Sequence, residues 1–268
     1  HMAVHHYWVH AVEFGEHPET GLQSAQKLSR MAPNVGHIVH MPGHIYYRMG
    51  EYDKARQSFI ASAQVDSAYM VDQRIPVNRT WNYVHNLNYL LANCAEDGRY
   101  QEGLEWARRL LQAPLDPKRS LFFYQGRMAP VHLQMRYGFW EEAAKSLEEL
   151  AQNDTLSTAF VVDYISGLLA YAKGMAAVQK GQVDEAGRQA EVLDELGWQF
   201  KMQEPEGRDI YYSRKRTGTL MVAVLELKGT VYSLQGRHQE ALELLQEGAE
   251  EEKKLGYSEP PRYPRPVL

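Results

Sequence analysis

The chain has 268 residues, 44% hydrophobic and 24% charged, an ordinary globular balance with enough apolar material for a continuous core. A formal net charge of −5 and the absence of a basic block argue against nucleic acid as a partner. The single cysteine, Cys94, excludes an intramolecular disulfide framework and any multi-cysteine zinc site, and no apolar run reaches the roughly 18–20 residues that span a bilayer.

His1-Met2 reads as the scar of a cleaved expression tag, so His1 is set aside. With no signal peptide in view, the cytoplasm is the expected compartment. In chain order, His5–Phe14 is predicted as a first helix and Pro18–Met31 as its partner, with Gly21 where the two approach closely. A pattern of glycine, a variable residue, often an aromatic, and then a small residue opening an apolar helix follows five times. It reads Gly50-Glu51-Tyr52-Asp53-Lys54-Ala55, Gly98-Arg99-Tyr100-Gln101-Glu102-Gly103 and Gly138-Phe139-Trp140-Glu141-Glu142-Ala143. Two more copies are Gly181-Gln182-Val183-Asp184-Glu185-Ala186 and Gly236-Arg237-His238-Gln239-Glu240-Ala241. Each lies between segments of helical period, such as Ala55, Phe59, Ser62 and Ala63, or Ala143, Leu147 and Leu150. The glycine is expected to close one helix in the left-handed conformation, and the small residue to let the next helix lie close.

The five glycines are 48, 40, 43 and 55 residues apart, so loops or helices carry insertions; Tyr69–Arg79 and Pro205–Asp209 are the predicted inserted loops. Helices should alternate to about Lys254, giving about six pairs in a helical domain over residues 3–254. The ending Glu259-Pro260-Pro261-Arg262-Tyr263-Pro264-Arg265-Pro266 cannot be regular helix, so residues 255–268 are assigned to a proline-rich tail.

This pattern resembles the tetratricopeptide repeat, a helix-turn-helix unit of about 34 residues. Gly43, Tyr46, Gly50, Tyr52, Ala55 and Phe59 occupy signature slots of the unit that starts near Gly36, whereas Val39 and Pro42 stand where the family has tryptophan and leucine. Gly21 to Ala55 is 34 residues, one full repeat. The resemblance implies an all-α superhelix whose first helices face a concave groove with slots two, five, nine and twelve. With each small residue set at slot twenty, His6 and His40 take slot five, and His10 and His44 take slot nine. Glu13 and Tyr47 take slot twelve, His37 and His85 slot two, Asn88 slot five and His132 slot nine.

Helix geometry supports a shared face on its own, because residues three, four and seven apart lie on one side. His6 and His10 are four apart, as are His40 and His44, and the two pairs are offset by 34 residues. Adjacent helices pack roughly 8–10 Å apart, so imidazoles from neighbouring helices could meet between them. Three readings follow. In the first, His6, His10, Glu13, His40 and His44 bind a transition metal such as zinc, copper or iron. In the second, a metal-free groove takes a peptide, protein or small-molecule ligand, with Tyr47, His37, His85, Asn88 and His132 on its wall. In the third, the histidines are hydrogen-bonded between helices and bind nothing. We place the metal first, because unrelated core histidines should not respect the repeat register. Lys and Arg are scarce in the inner slots, against an anion groove, and no H-E-x-x-H pattern indicates a hydrolase. Whether the chain is an enzyme stays open.

Pro42, between His40 and His44, either bends the helix and distorts the pair or is a first-turn proline; Pro130 holds the same slot before His132. The segments His6-Tyr7-Trp8-Val9-His10-Ala11-Val12-Glu13 and His37-Ile38-Val39-His40-Met41-Pro42-Gly43-His44-Ile45-Tyr46 resemble those of a bacterial family of tetratricopeptide proteins. Its members carry H-Y-x-x-H-A-x-E and H-M-P-S-H-I-Y, then H-N-x-H and a late E-P-P. Here the third segment is His85-Asn86-Leu87-Asn88, with Asn88 in place of a histidine, Gly43 replaces the serine, and Glu259-Pro260-Pro261 supplies the last. The resemblance implies the fold and the importance of the histidines but no reaction.

Overall fold

The computed structural model describes residues 1–113, 120–153, 159–202, 210–259 and 266–267. These residues are all-helical, with twelve α-helices and no strand among them. In chain order the helices are α1 (Met2–Glu13), α2 (Leu22–Met31), α3 (Gly36–Arg48), α4 (Tyr52–Gln73), α5 (Trp81–Glu96) and α6 (Tyr100–Gln112). Then come α7 (Ser120–Arg136), α8 (Trp140–Asn153), α9 (Ala159–Gln179), α10 (Val183–Met202), α11 (Ile210–Leu234) and α12 (His238–Leu255). None of the described helices is long and apolar enough to cross a membrane.

The five expected turns are present. Gly50, Gly98, Gly138, Gly181 and Gly236 have φ between 68° and 78°, where a Cβ would be strained. In the first of them the N–H of Glu51 reaches the Tyr46 carbonyl at 2.9 Å and that of Gly50 the Tyr47 carbonyl at 3.1 Å, which satisfies two carbonyls that the ending helix leaves open. The small residues that follow, Ala55, Gly103, Ala143, Ala186 and Ala241, are all buried, as close packing of the next helix requires.

The described residues cluster into two compact units. The first holds His1–Leu133 with Tyr257, Ser258 and Glu259; the second holds Gln134–Gly256 with Pro266 and Val267. In the first, each of α1 to α5 packs on its successor and α5 on α6, and α3 also touches both α1 and α5. In the second, α8 to α12 pack in sequence and α9 also meets α11, around a core that includes Trp140, Tyr171, Leu193 and Leu227.

Two features depart from expectation. Tyr69–Gln73 is helical: α4 runs through it, because no breaker occurs before Pro76 and the extension buries Met70, so the loop is confined to Arg74–Thr80. Arg74, at φ 53°, closes α4 in place of a glycine. The other expected loop, Pro205–Asp209, lies outside the described residues, as does the tail between Glu259 and Pro266. Pro42 does not end a helix, since α3 continues through it from Gly36 to Arg48.

Helix α3 shows how the chain places the site. Ile38, Met41 and Ile45 follow one another at steps of three and four and pack with Val9, Ala25 and Leu28 in a buried apolar cluster. His37, His40 and His44 repeat the same steps one residue earlier, a rotation of about 100° around the helix. One stripe is therefore held in the core while the other faces a different direction. Sinking Leu28 or Ile45 fully into that core contributes roughly 1.5–3 kcal/mol each.

Candidate metal centre

Three helices and one late segment build the site. Helix α1 brings His6, His10 and Glu13 on one stripe; α3 brings His37, His40 and His44; α5 brings Trp81, His85 and Tyr89. Tyr257 and Glu259 join them from beyond α12. Two sets of three histidines have ligating atoms within 4.8 Å of one another: His6, His10 and His37, and His40, His44 and His85. His10, Glu13 and Glu259 form a further such group.

In the first set, Nε2 of His6 lies 2.8 Å from Nε2 of His37 and 3.1 Å from Nε2 of His10. In the second, Nε2 of His44 lies 3.3 Å from Nε2 of His40. His40 and His85 stack obliquely at 5.4 Å between centroids. Trp81 rests against both His37 and His85, at 5.4 and 5.6 Å.

The opposite edges of the rings are occupied. Glu13, fully buried, spans two of them: Oε1 is 2.6 Å from Nδ1 of His10 and Oε2 is 2.6 Å from Nδ1 of His44. An ionised carboxylate only accepts, so His10 carries its proton on the Nδ1 that bonds Glu13, whereas Nδ1 of His44, though close to Oε2, is hydrogen-bonded to the Tyr89 hydroxyl. Behind α3 lies a buried polar network. Asn82 Nδ2 donates to Asp66 at 2.6 Å, Asn86 Nδ2 donates to Ser62 at 2.7 Å, and the Ser62 hydroxyl donates to the Gly36 carbonyl at 2.7 Å. These bonds turn the amide oxygens of both asparagines away from Asp66. Nδ1 of His37 and His40 and Oδ1 of Asn82 and Asn86 are all buried without a hydrogen-bond partner. Asn82 lies behind His37 and Asn86 behind His40, each favouring the N–H form of the ring it faces, so a small adjustment would pair all four.

The electrostatics follow from this packing. Burial first, then the neighbouring His6, pushes His37 down to about 4. Burial and then His44 push His85 down to about 3, and the same two causes hold His40 well below the usual imidazole range. His6 is lowered by burial and by His10. These four rings are neutral at pH 7. Burial alone would raise Glu13, but the hydrogen bonds from His10 and His44 outweigh it and hold the carboxyl well below the usual range. Glu259 goes the other way, up to about 8, through burial and then its hydrogen bond with Glu13. The late segment is held by aromatic contacts: Tyr257 O–H and Tyr89 O–H are 2.7 Å apart, the Tyr89 hydroxyl is 3.1 Å from Nδ1 of His44, and the Arg48 guanidinium lies 4.7 Å over the Tyr257 ring. Arg48 also donates to the carbonyl of Glu13 at 2.8 Å, which ties the end of α1 to the end of α3.

The Nε2 atoms of His40 and His44 face each other at 3.3 Å, a separation at which one ring can donate to the other or both can turn lone pairs on a shared ion. In a tetrahedral site with metal–nitrogen bonds of about 2.0–2.1 Å, the ligand atoms stand about 3.3 Å apart.

Of the residues singled out in the sequence, His6, His10, Glu13, His37, His40, His44 and His85 come together. Tyr47 packs behind the site against Tyr52 and Tyr89, at 5.7 and 5.8 Å. Asn88 donates back to the Val84 carbonyl on its own helix, 3.1 Å away. His132 lies on α7, outside these histidine sets, and burial lowers it to about 4. Sequence reasoning missed Asn82, Asn86, Trp81, Tyr257 and the part played by Glu259. Asn82 and Asn86 stand at the helical step of four on α5, a signal that was available; Glu259 was visible only in the Glu259-Pro260-Pro261 segment. No protein-family model matches the chain, and no curated protein or solved structure is significantly similar to it.

Proposed function

We propose that this is a tetratricopeptide-type repeat protein that binds a transition metal ion, zinc, copper or iron, through the histidine cluster of its first helices. The observation that carries the metal reading is the convergence of six imidazoles into two sets of three whose ligating atoms lie within 4.8 Å of one another. Metal-bound imidazoles usually have a carboxylate or amide behind the ring, and Glu13, Asn82 and Asn86 stand in that place. An all-nitrogen donor set suits zinc, copper and iron, while magnesium and calcium prefer oxygen. The neutrality of His6, His37, His40 and His85 also counts against an anion as the ligand. The repeat assignment is supported by the five glycine turns and by the way α3 touches both α1 and α5, as successive first helices would.

A second reading has one observation in its favour. Tyr7 and Trp81 are exposed beside the histidines and would suit a peptide or small organic ligand in a metal-free groove. Elemental analysis of purified protein, with His10→Ala and His44→Ala as controls, separates the two. The metal reading expects a stoichiometric transition metal, reduced in both variants. Metal-free, folded protein that takes up no zinc or copper on addition would overturn it in favour of the groove.

A further inference from the structure

Resting on the reading of the cluster as a metal site, the geometry points to two ions. We propose a dinuclear centre in which His6, His10 and His37 hold one transition metal ion, His40, His44 and His85 hold a second, and the Glu259 carboxylate is shared between them.

The donors are already sorted into two triples. Within each, ligating atoms lie within 4.8 Å of one another, with closest contacts of 2.8 and 3.1 Å in the first and 3.3 Å in the second. Six imidazoles around a single ion would all have to place their nitrogens within about 4.2 Å, twice the usual bond length. The two triples instead draw on different helices, α1 with the start of α3, and the rest of α3 with α5. They abut through His37 and His40, with centroids 4.8 Å apart, and through His10 and His44, 6.1 Å apart.

Three histidines per ion leave a tetrahedral position open, and an oxygen donor completes such sites. Glu259 is that donor by position. Its Oε2 is 3.8 Å from Nε2 of His85 in the second triple, and the carboxyl groups with His10 of the first triple and with Glu13; Nδ1 of His44, on the ring edge turned to Glu13, is 4.0 Å away. Glu13, whose two oxygens each lie 2.6 Å from Nδ1 of one ring from each triple, positions both sets without needing to touch either ion.

Titration of metal-free protein with copper(II), followed by equilibrium dialysis and electron paramagnetic resonance, tests this. Two equivalents should bind per chain. At half loading the spectrum should be that of isolated copper(II), and at full loading it should broaden or lose intensity as neighbouring ions couple. His6→Ala and His85→Ala, each checked for helical content by circular dichroism, should each retain one equivalent with an uncoupled signal. Glu259→Gln should keep the histidine-held copper and weaken the coupling. One equivalent in the unmodified protein, lost in both histidine variants, would overturn the dinuclear centre and leave a single metal site standing. Two equivalents without coupling would overturn the shared centre. No copper at all would overturn both this proposal and the metal reading beneath it. The unmodified protein decides among these outcomes, even if a variant fails to fold.

Discussion

His40 and His44 differ from ordinary buried histidines in what stands behind them. A ring in a protein core usually shares its two nitrogens between one donor role and one acceptor role. Here Asn86 stands behind His40 and Glu13 behind His44, and the Nε2 atoms of the two rings face each other at 3.3 Å. This gives a prediction that needs no metal: nitrogen-15 NMR of the metal-free protein at pH 7.5 should show His37 and His40 as Nδ1–H tautomers. Nε2–H at either would contradict the assignment. Glu13→Gln follows from the same logic. A carboxamide can accept from only one Nδ1–H, so the other ring is free to turn over, and metal affinity should fall about 10–100-fold with helical content unchanged. Competition with a chelator of known affinity measures it, and an unchanged affinity would remove Glu13 from the account.

At the scale of the element, α3 is the piece on which the site depends. It carries three of the six clustered histidines on one stripe and its core anchors on another, and Gly43 sets how near α4 can lie. A Cβ at Gly43 would stand 2.5 Å from Cε1 of Phe59. Phe59 is fully buried, stacks on Tyr89 at 4.6 Å and meets His40 and His44 edge-on, so it has little room to retreat. Gly43→Ala should therefore cost about 1–3 kcal/mol by overpacking, measured by urea unfolding. A neutral result would mean that the helices can separate there. The glycine turns and the four-residue histidine spacing of these elements were legible in the sequence, because each is a local signal read within one or two helical turns. Continuity of α3 through Pro42 was not, since a proline inside a helix is tolerated only when packing outweighs the lost hydrogen bond, and that packing comes from other helices. The asparagines of α5 were passed over for a similar reason. Their role lies in which way the amides turn, and Asp66, on another helix, decides it.

For the molecule as a whole, the cluster links folding to pH and, on the proposed reading, to metal. His37 and His85, at about 4 and about 3, are lowered from 6.5, so between those values and 6.5 the unfolded chain takes up protons that the folded chain refuses. The metal-free protein should thus lose stability as pH falls below about 6.5 and go on losing it towards pH 3. Glu259, raised from 4.5 to about 8, acts with the opposite sign: its contribution is present at low pH and is lost as pH rises through 8. Melting temperatures of metal-free protein across pH 4–9 should show the acid limb, and a flat profile below 6.5 would show that the rings are not held neutral. Saturating metal should add about 2.7 kcal/mol at a hundredfold excess over Kd. The contribution of Tyr257 and Glu259 was the part least readable from sequence. Tyr257 meets Tyr89 across a separation of 168 residues, and no periodicity or local motif reports a contact of that range.

The central claim is that imidazole nitrogens hold the metal, and X-ray absorption at the metal edge of zinc- or copper-loaded protein tests it most directly. The predicted spectrum has a first shell of nitrogen and oxygen near 2.0–2.1 Å, as expected of a zinc–imidazole site, with the outer-shell features of about three imidazole rings per metal. A shell dominated by water or carboxylate oxygen, without ring scattering, would contradict the account.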